Sequence, residues 1–234
     1  MFLPLYDNNY LRHVGFQYVT VLLIAANVAI FLLQSTGVGE AAVASFAVIP
    51  REILAVGWLG GAANGPLDRF AVPEPYTLVT YMFFHGDMAH LLGNMMFLWV
   101  FGDNVEDAVG HLKFLLFYIL CGVAAAVTHT LITGDSPRPL IGASGAVAGV
   151  IAAYLMLHPR ITVWVLALKI LPLQITAAIA LGLWIAIQVV MVFLPQVGPV
   201  AWWAHIGGLV AGAVLILFFR RRGVPLFDRA RADA

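Results

Sequence analysis

The sequence predicts an all-α polytopic membrane protein, a bundle of six transmembrane helices with a short central helix four. Three observations predict it. Hydrophobic residues make up 62% of the 234 residues and charged residues 10%, with a mean hydropathy of +0.94, so one soluble domain cannot hide the apolar surface. Six apolar runs are separated by turns rich in Pro, Gly or charge. With both termini placed on the cytoplasmic side, Arg12, Lys113, Arg160, Lys169, Arg220, Arg221, Arg222, Arg229 and Arg231 lie inside and Arg51, Arg69 and Arg138 outside, a nine-to-three split that fixes the orientation. A net charge of zero leaves no electrostatic footprint for nucleic acid, and the single Cys121 allows neither a disulfide framework nor a thiolate metal cluster.

In chain order, residues 1–17 are a short polar cytoplasmic segment containing Asp7 and Arg12, and 18–33 is the first span. Ala42-Val43-Ala44 resembles a signal cleavage site, but the run ahead of it has almost no positive flank and lies far from the terminus, so the span is read as retained. Residues 34–75 form a long outer loop punctuated by Gly and Pro yet carrying Phe46, Ile49, Ile53, Leu54, Trp58 and Leu59, which places it partly in the interface with Trp58 as an anchor. The second span is 88–101, ended by the charged turn Gly102 to Gly110, and the third is 112–132. A polar turn, Thr133 to Pro139, leads to the fourth span, 143–157. Ile161 to Leu171 is too short to cross and is read as interfacial or as a lead-in to the fifth span, 173–194. Pro195 to Pro199 is a tight loop, 200–219 the sixth span and 220–234 a basic cytoplasmic tail. The six-helix domain is therefore 18–219.

From Ala143 to Ala153, eight of eleven side chains are Ala, Gly or Ser, so neighbouring helices can approach this one closely. Ser144 stands at its start, where free amide groups and the helix dipole favour developing negative charge. Ser144 there is either a helix N-cap or a nucleophile with part of an oxyanion hole beside it. His90 and Asn94, four apart, share one helical face, and intramembrane polar groups are functional candidates by default. Spans two, four and six all begin on the outer side, so His90, Ser144 and His205 share one depth; His205 lies roughly 8 Å below the outer end of its helix at 1.5 Å per residue. Ala204, Gly208 and Gly212 notch the sixth helix, and Gly145 and Gly149 offer a matching surface on the fourth. A base for Ser144 is available in His205 or, by spacing alone, in His90, and the oxyanion donors in the Ser144 backbone N–H and the His90 and Asn94 side chains. No carboxylate occurs between Asp135 and Asp228, so this is a dyad.

With these residues in hand the chain resembles the rhomboid family of intramembrane serine proteases, of bacterial type, over about Tyr76 to Gly212. The matching pieces are His85, His90 and Asn94 at their spacing, Glu106 with Gly110, Gly142-Ala143-Ser144-Gly145, and Ala204-His205 with Gly208 and Gly212. The resemblance implies a serine endopeptidase that hydrolyses peptide bonds in or near transmembrane segments of single-span or polytopic membrane-protein substrates, in a bacterial inner membrane. It implies Ser144 as nucleophile, His205 as general base, His90 and Asn94 as side-chain oxyanion donors, and structural roles for His85, Glu106, Gly110, Gly142, Gly145, Gly208 and Gly212. It also implies an outward-opening water-filled cavity, with the Pro195 to Pro199 loop as cap and helix five as lateral gate. Two departures stand out. Ala148 occupies the position where many members carry an aromatic ring on the catalytic imidazole, and Trp58 is followed by Leu59 where some carry a Trp-Arg pair.

Other readings remain to be weighed. A non-catalytic rhomboid-like adaptor usually lacks the serine or the histidine, and both are here. A transporter is disfavoured by few ionisable residues on the helices and no repeat between halves, and a nucleophile-elbow hydrolase by Ala146 two places after the serine. No metal or organic cofactor is implied, because His90 and His205 lack a carboxylate or thiolate companion at ligand spacing.

Overall fold

Small residues decide what sits at the centre. The computed structural model describes residues 2–36, 39–63, 69–167, 170–194, 198 and 200–227. Its elements are β1 (Leu3–Asp7), α1 (Tyr18–Gln34), α2 (Gly39–Phe46), α3 (Pro50–Val56), α4 (Glu74–Thr80), a 3₁₀ turn (Tyr81–Phe83), α5 (Met88–Val109), α6 (His111–Thr133), α7 (Ser144–Leu157), β2 (Thr162–Ala167), β3 (Leu171–Thr176), α8 (Ala177–Met191) and α9 (Trp202–Phe219). Helix α7 is buried from Gly145 through Tyr154 and again at Leu157, enclosed by α5, α6 and α9. Glycine is needed where it meets them. A Cβ at Gly208 or Gly212 would overlap the carbonyl of Gly145 or Gly149, and one at Gly149 would overlap Cys121 of α6.

Each of the six apolar runs contains a helix, α1 and α5 to α9 in order. Two of them, α6 and α9, are long and apolar enough to cross a membrane, at mean hydropathies of 2.1 and 1.9. Helices α1, α7 and α8 are apolar but shorter, at 17, 14 and 15 residues.

Several boundaries differ from the sequence reading, each for a physical reason. The chain is not all-α: β1, β2 and β3 form an antiparallel three-stranded sheet in that order. β2 comes from the stretch read as interfacial, where Thr162, Val163, Trp164 and Val165 are β-branched or aromatic and Val163 and Val165 alternate into the core. β3 runs into what was read as the fifth span, whose helix starts only at Ala177 behind the N-cap Thr176. β1 lies in the segment read as simply polar, and pairs Leu3 with Leu166 and Asp7 with Val163.

The charged stretch after the second run is not a turn. α5 continues through Asp103, Glu106 and Asp107 to Val109 because those carboxylates are consumed by the chain around them. Glu106 accepts from the amides of Val19 and Thr20, from the Thr20 hydroxyl and from His111, at 3.0, 2.8, 2.7 and 2.5 Å. Asp107 accepts from the amides of Arg12, His13 and Val14. The helix stops at Gly110, whose φ of 94° suits a residue without Cβ. The long loop also holds α2, α3 and the start of α4. Lys169, Gly65, Pro66, Arg229, Arg231 and the loop from Pro195 to Pro199, apart from Gly198, lie outside the described residues.

Candidate functional site

Ser144 is the first residue of α7, with Ala143 rather than the serine at the N-cap. Its hydroxyl therefore caps nothing and donates instead to Nε2 of His205, 2.9 Å away. Of the two candidate histidines, His205 is the one whose ring the structure places within hydrogen-bond reach of Ser144. The glycine contact between α7 and α9 brings the pair together: Gly145 and Gly208 adjoin Ser144 and His205 in the two helices, and only bare backbones approach that closely. Ser144 is half-buried and His205 nearly covered.

The loop that enters α7 is flanked by α5. Asp87, in extended conformation, accepts the His90 amide at 2.8 Å and starts the helix, which sets His90 and Asn94 one turn apart. The His90 ring faces Gly142. A Cβ at Gly142 would come within 2.6 Å of the ring, and φ there is +113°, so space and backbone both require glycine. Gly142 is held by its amide, which donates to the Tyr81 carbonyl at 3.0 Å, and Tyr81 in turn donates its hydroxyl to the Gly122 carbonyl at 2.8 Å. Nδ2 of Asn94 is buried without a hydrogen-bond partner among the described residues, an orphan donor beside the loop that enters α7. The amide of Ser144 is a second one by helix geometry, since the first bond of α7 runs from Val147 to the Ala143 carbonyl.

His85 is fully buried against the loop that enters α7. Its Nε2 accepts from the Ala143 amide at 3.5 Å, its ring meets that of His90 at a 5.0 Å centroid distance, and its backbone is clamped by Gln34. Glu106 and Gly110 lie at the far end of α5. Glu106 ties α1 to it through Val19 and Thr20, and Ala108 ties the segment after α9 to it by accepting from the Arg221 amide at 2.8 Å.

Three residues near the site escaped the sequence reading. Position 148 is a fully buried Ala beside Gly208, and the imidazole of His205 instead meets Trp184 at 5.9 Å and 32°, Trp202 at 6.0 Å edge-on, and Gln188, whose Oε1 lies 2.7 Å from Nδ1. The signal for Gln188 was available, because it is the one polar side chain between Ala177 and Met191 in α8. Among the described residues the arrangement is a hydroxyl with a base in reach and unpartnered donors beside it.

The Rhomboid domain family model matches residues 72–222, well over half of the chain. The chain belongs to the rhomboid family. This rhomboid is 32% identical to RHOMBOID-like protein 5 of Arabidopsis thaliana over 153 residues, 64% of this chain and 47% of that protein. It is 32% identical to RHOMBOID-like protein 6, mitochondrial, of the same plant over 142 residues, 61% of this chain and 43% of that protein. Rhomboid protease GluP of Bacillus subtilis is 37% identical over 82 residues, 35% of this chain and 16% of that protein. The match thus spans less than half the length of the curated relatives.

Proposed function

We propose that this rhomboid is an intramembrane serine endopeptidase in which Ser144 is the nucleophile and His205 the general base. The observation that carries the reading is the 2.9 Å contact between Ser144 Oγ and His205 Nε2. Ser144 Oγ adds to the scissile carbonyl as its proton passes to Nε2, and the oxyanion is held by the Ser144 amide, the His90 ring and Asn94 Nδ2. The tetrahedral adduct expels the amine, which takes the proton from His205, and water activated by the same base then hydrolyses the ester and frees Ser144. The orphan donor on Asn94 supports the assignment.

The six helical runs are proposed as transmembrane helices, with both termini cytoplasmic in a bacterial inner membrane. The nine-to-three cation split supports the orientation. The length of α7 supports a buried site: 14 residues extend about 21 Å, against a hydrocarbon core of about 30 Å. With its His158 end at the cytoplasmic side, its Ser144 end lies roughly 9 Å inside the outer boundary, in line with the roughly 8 Å depth of His205. A peptide bond inside a helix is shielded by its own hydrogen bonds. Substrates are therefore proposed to be membrane proteins whose spanning segments unwind easily near their outer end and meet water inside the protein. The family resemblance assigns the gate to α8 and the cap to the loop after it.

The test is cleavage of a single-span reporter by purified protein in detergent. Cleavage by wild type and none by Ser144→Ala or His205→Ala, with all three folded, is the expected result. Equal inactivity of all three toward several reporters, or retained cleavage by Ser144→Ala, overturns the assignment.

A further inference from the structure

His205 is engaged through both ring nitrogens, and the second contact decides the state of the first. The carboxamide nitrogen of Gln188 donates to the Trp184 carbonyl at 3.1 Å, one turn back along α8, so its oxygen is the atom that faces Nδ1 of His205 at 2.7 Å. A carboxamide oxygen only accepts. Nδ1 therefore carries the ring proton, and Nε2 is left bare to accept from Ser144. Gln188 is 4% exposed, so water does not compete for the bond.

We infer that Gln188 is a positioning residue for the general base, setting the tautomer and tilt of His205 from α8. The inference rests on the protease reading only in what it says about turnover. Trp184, four residues earlier on the same face, lies against the imidazole, while Ala148 of α7 supplies no ring. The support that holds His205 thus comes from α8 rather than from the helix of the nucleophile. The opposite side of α8 exposes Ile179, Leu183, Ile187 and Val190, so this helix is anchored on one side only, and the site is competent only while α8 is docked on α9. The acceptor is neutral. It holds the tautomer without adding charge, and among the described residues the other titratable side chains whose charge reaches His205 are His90 of α5 and His129 of α6.

Histidine-selective ¹⁵N labelling of the full chain in detergent reads the tautomer directly, and reporter kinetics read its consequence. The expected wild-type signal for His205 is the neutral Nδ1–H form. Gln188→Leu, close in volume, loses that preference and lowers kcat roughly 10- to 100-fold with KM within about twofold. Gln188→Glu keeps Nδ1–H, restores kcat and moves the acid limb of the pH–rate profile upward, because a carboxylate favours the imidazolium. An unchanged tautomer in folded Gln188→Leu, or an unmoved acid limb in Gln188→Glu, overturns the inference. The tautomer is measured whether or not the protein cleaves: a shift in Gln188→Leu with no cleavage by wild type sustains the positioning role and fails the protease reading alone.

Discussion

Gly208 of α9 meets Gly145 of α7 backbone against backbone, with no room for a Cβ between them. Each glycine adjoins a reactive side chain in sequence or one turn away, so this contact sets the distance from Ser144 to His205. Gly208→Val is expected to abolish cleavage and to lower the thermal unfolding midpoint, overpacking of this kind costing about 1–3 kcal/mol. Gly93→Ala, where a Cβ meets nothing within 4 Å, is the control, and both are read by reporter turnover and thermal scans.

Asn94 Nδ2 has no hydrogen-bond partner among the described residues. Removing a donor used only in the transition state lowers kcat rather than binding, so Asn94→Ala is expected to reduce kcat roughly 10²- to 10³-fold with KM little changed. His90→Ala is expected to fall in the same range. Wild-type rates in either variant contradict that donor's role.

Glu106 acts at the other end of α5, where its carboxylate gathers two amides, a hydroxyl and an imidazole. Glu106→Ala strands the buried amide and hydroxyl of Thr20 at about 1–3 kcal/mol each, so a marked loss of stability in detergent is expected. Turnover per folded molecule stays near wild type, and a purely catalytic loss with unchanged unfolding would contradict the structural role.

Asp7 of β1 is pushed up from 3.8 to about 6, chiefly by burial, with the Tyr154 hydroxyl donating to it as a smaller opposing effect. The folded state therefore holds this proton more tightly than the unfolded chain. Stability contributed by the protonated carboxyl is present below about pH 4 and is lost as pH rises to about 6. Asp7→Asn is expected to flatten that part of the stability profile and to raise the unfolding midpoint at pH 8, read by thermal scans across pH 4–8.

The helices were legible in the sequence because their signals are local. Apolar runs mark helices, and the small residues of α7 matched the notch in α9 well enough to pair Ser144 with His205. The sheet was not legible: β1 and β2 are more than 150 positions apart and short, and one of them lies in a run that reads equally well as a helix lead-in. The charges of α5 were misread as a turn because their partners, the amides around His13 and Val19, are some 90 residues away. What holds His205 was hidden for the same reason, since Ala148 marked a gap whose replacement sits on a helix later in the chain.

The most direct test of the central claim is labelling of the purified protein with a serine-directed phosphonate, followed by mass analysis of the modified peptide. The account predicts one adduct, on Ser144, formed by wild type, absent in Ser144→Ala and strongly slowed in His205→Ala. An adduct that persists in Ser144→Ala, or equal labelling of wild type and His205→Ala, would contradict it.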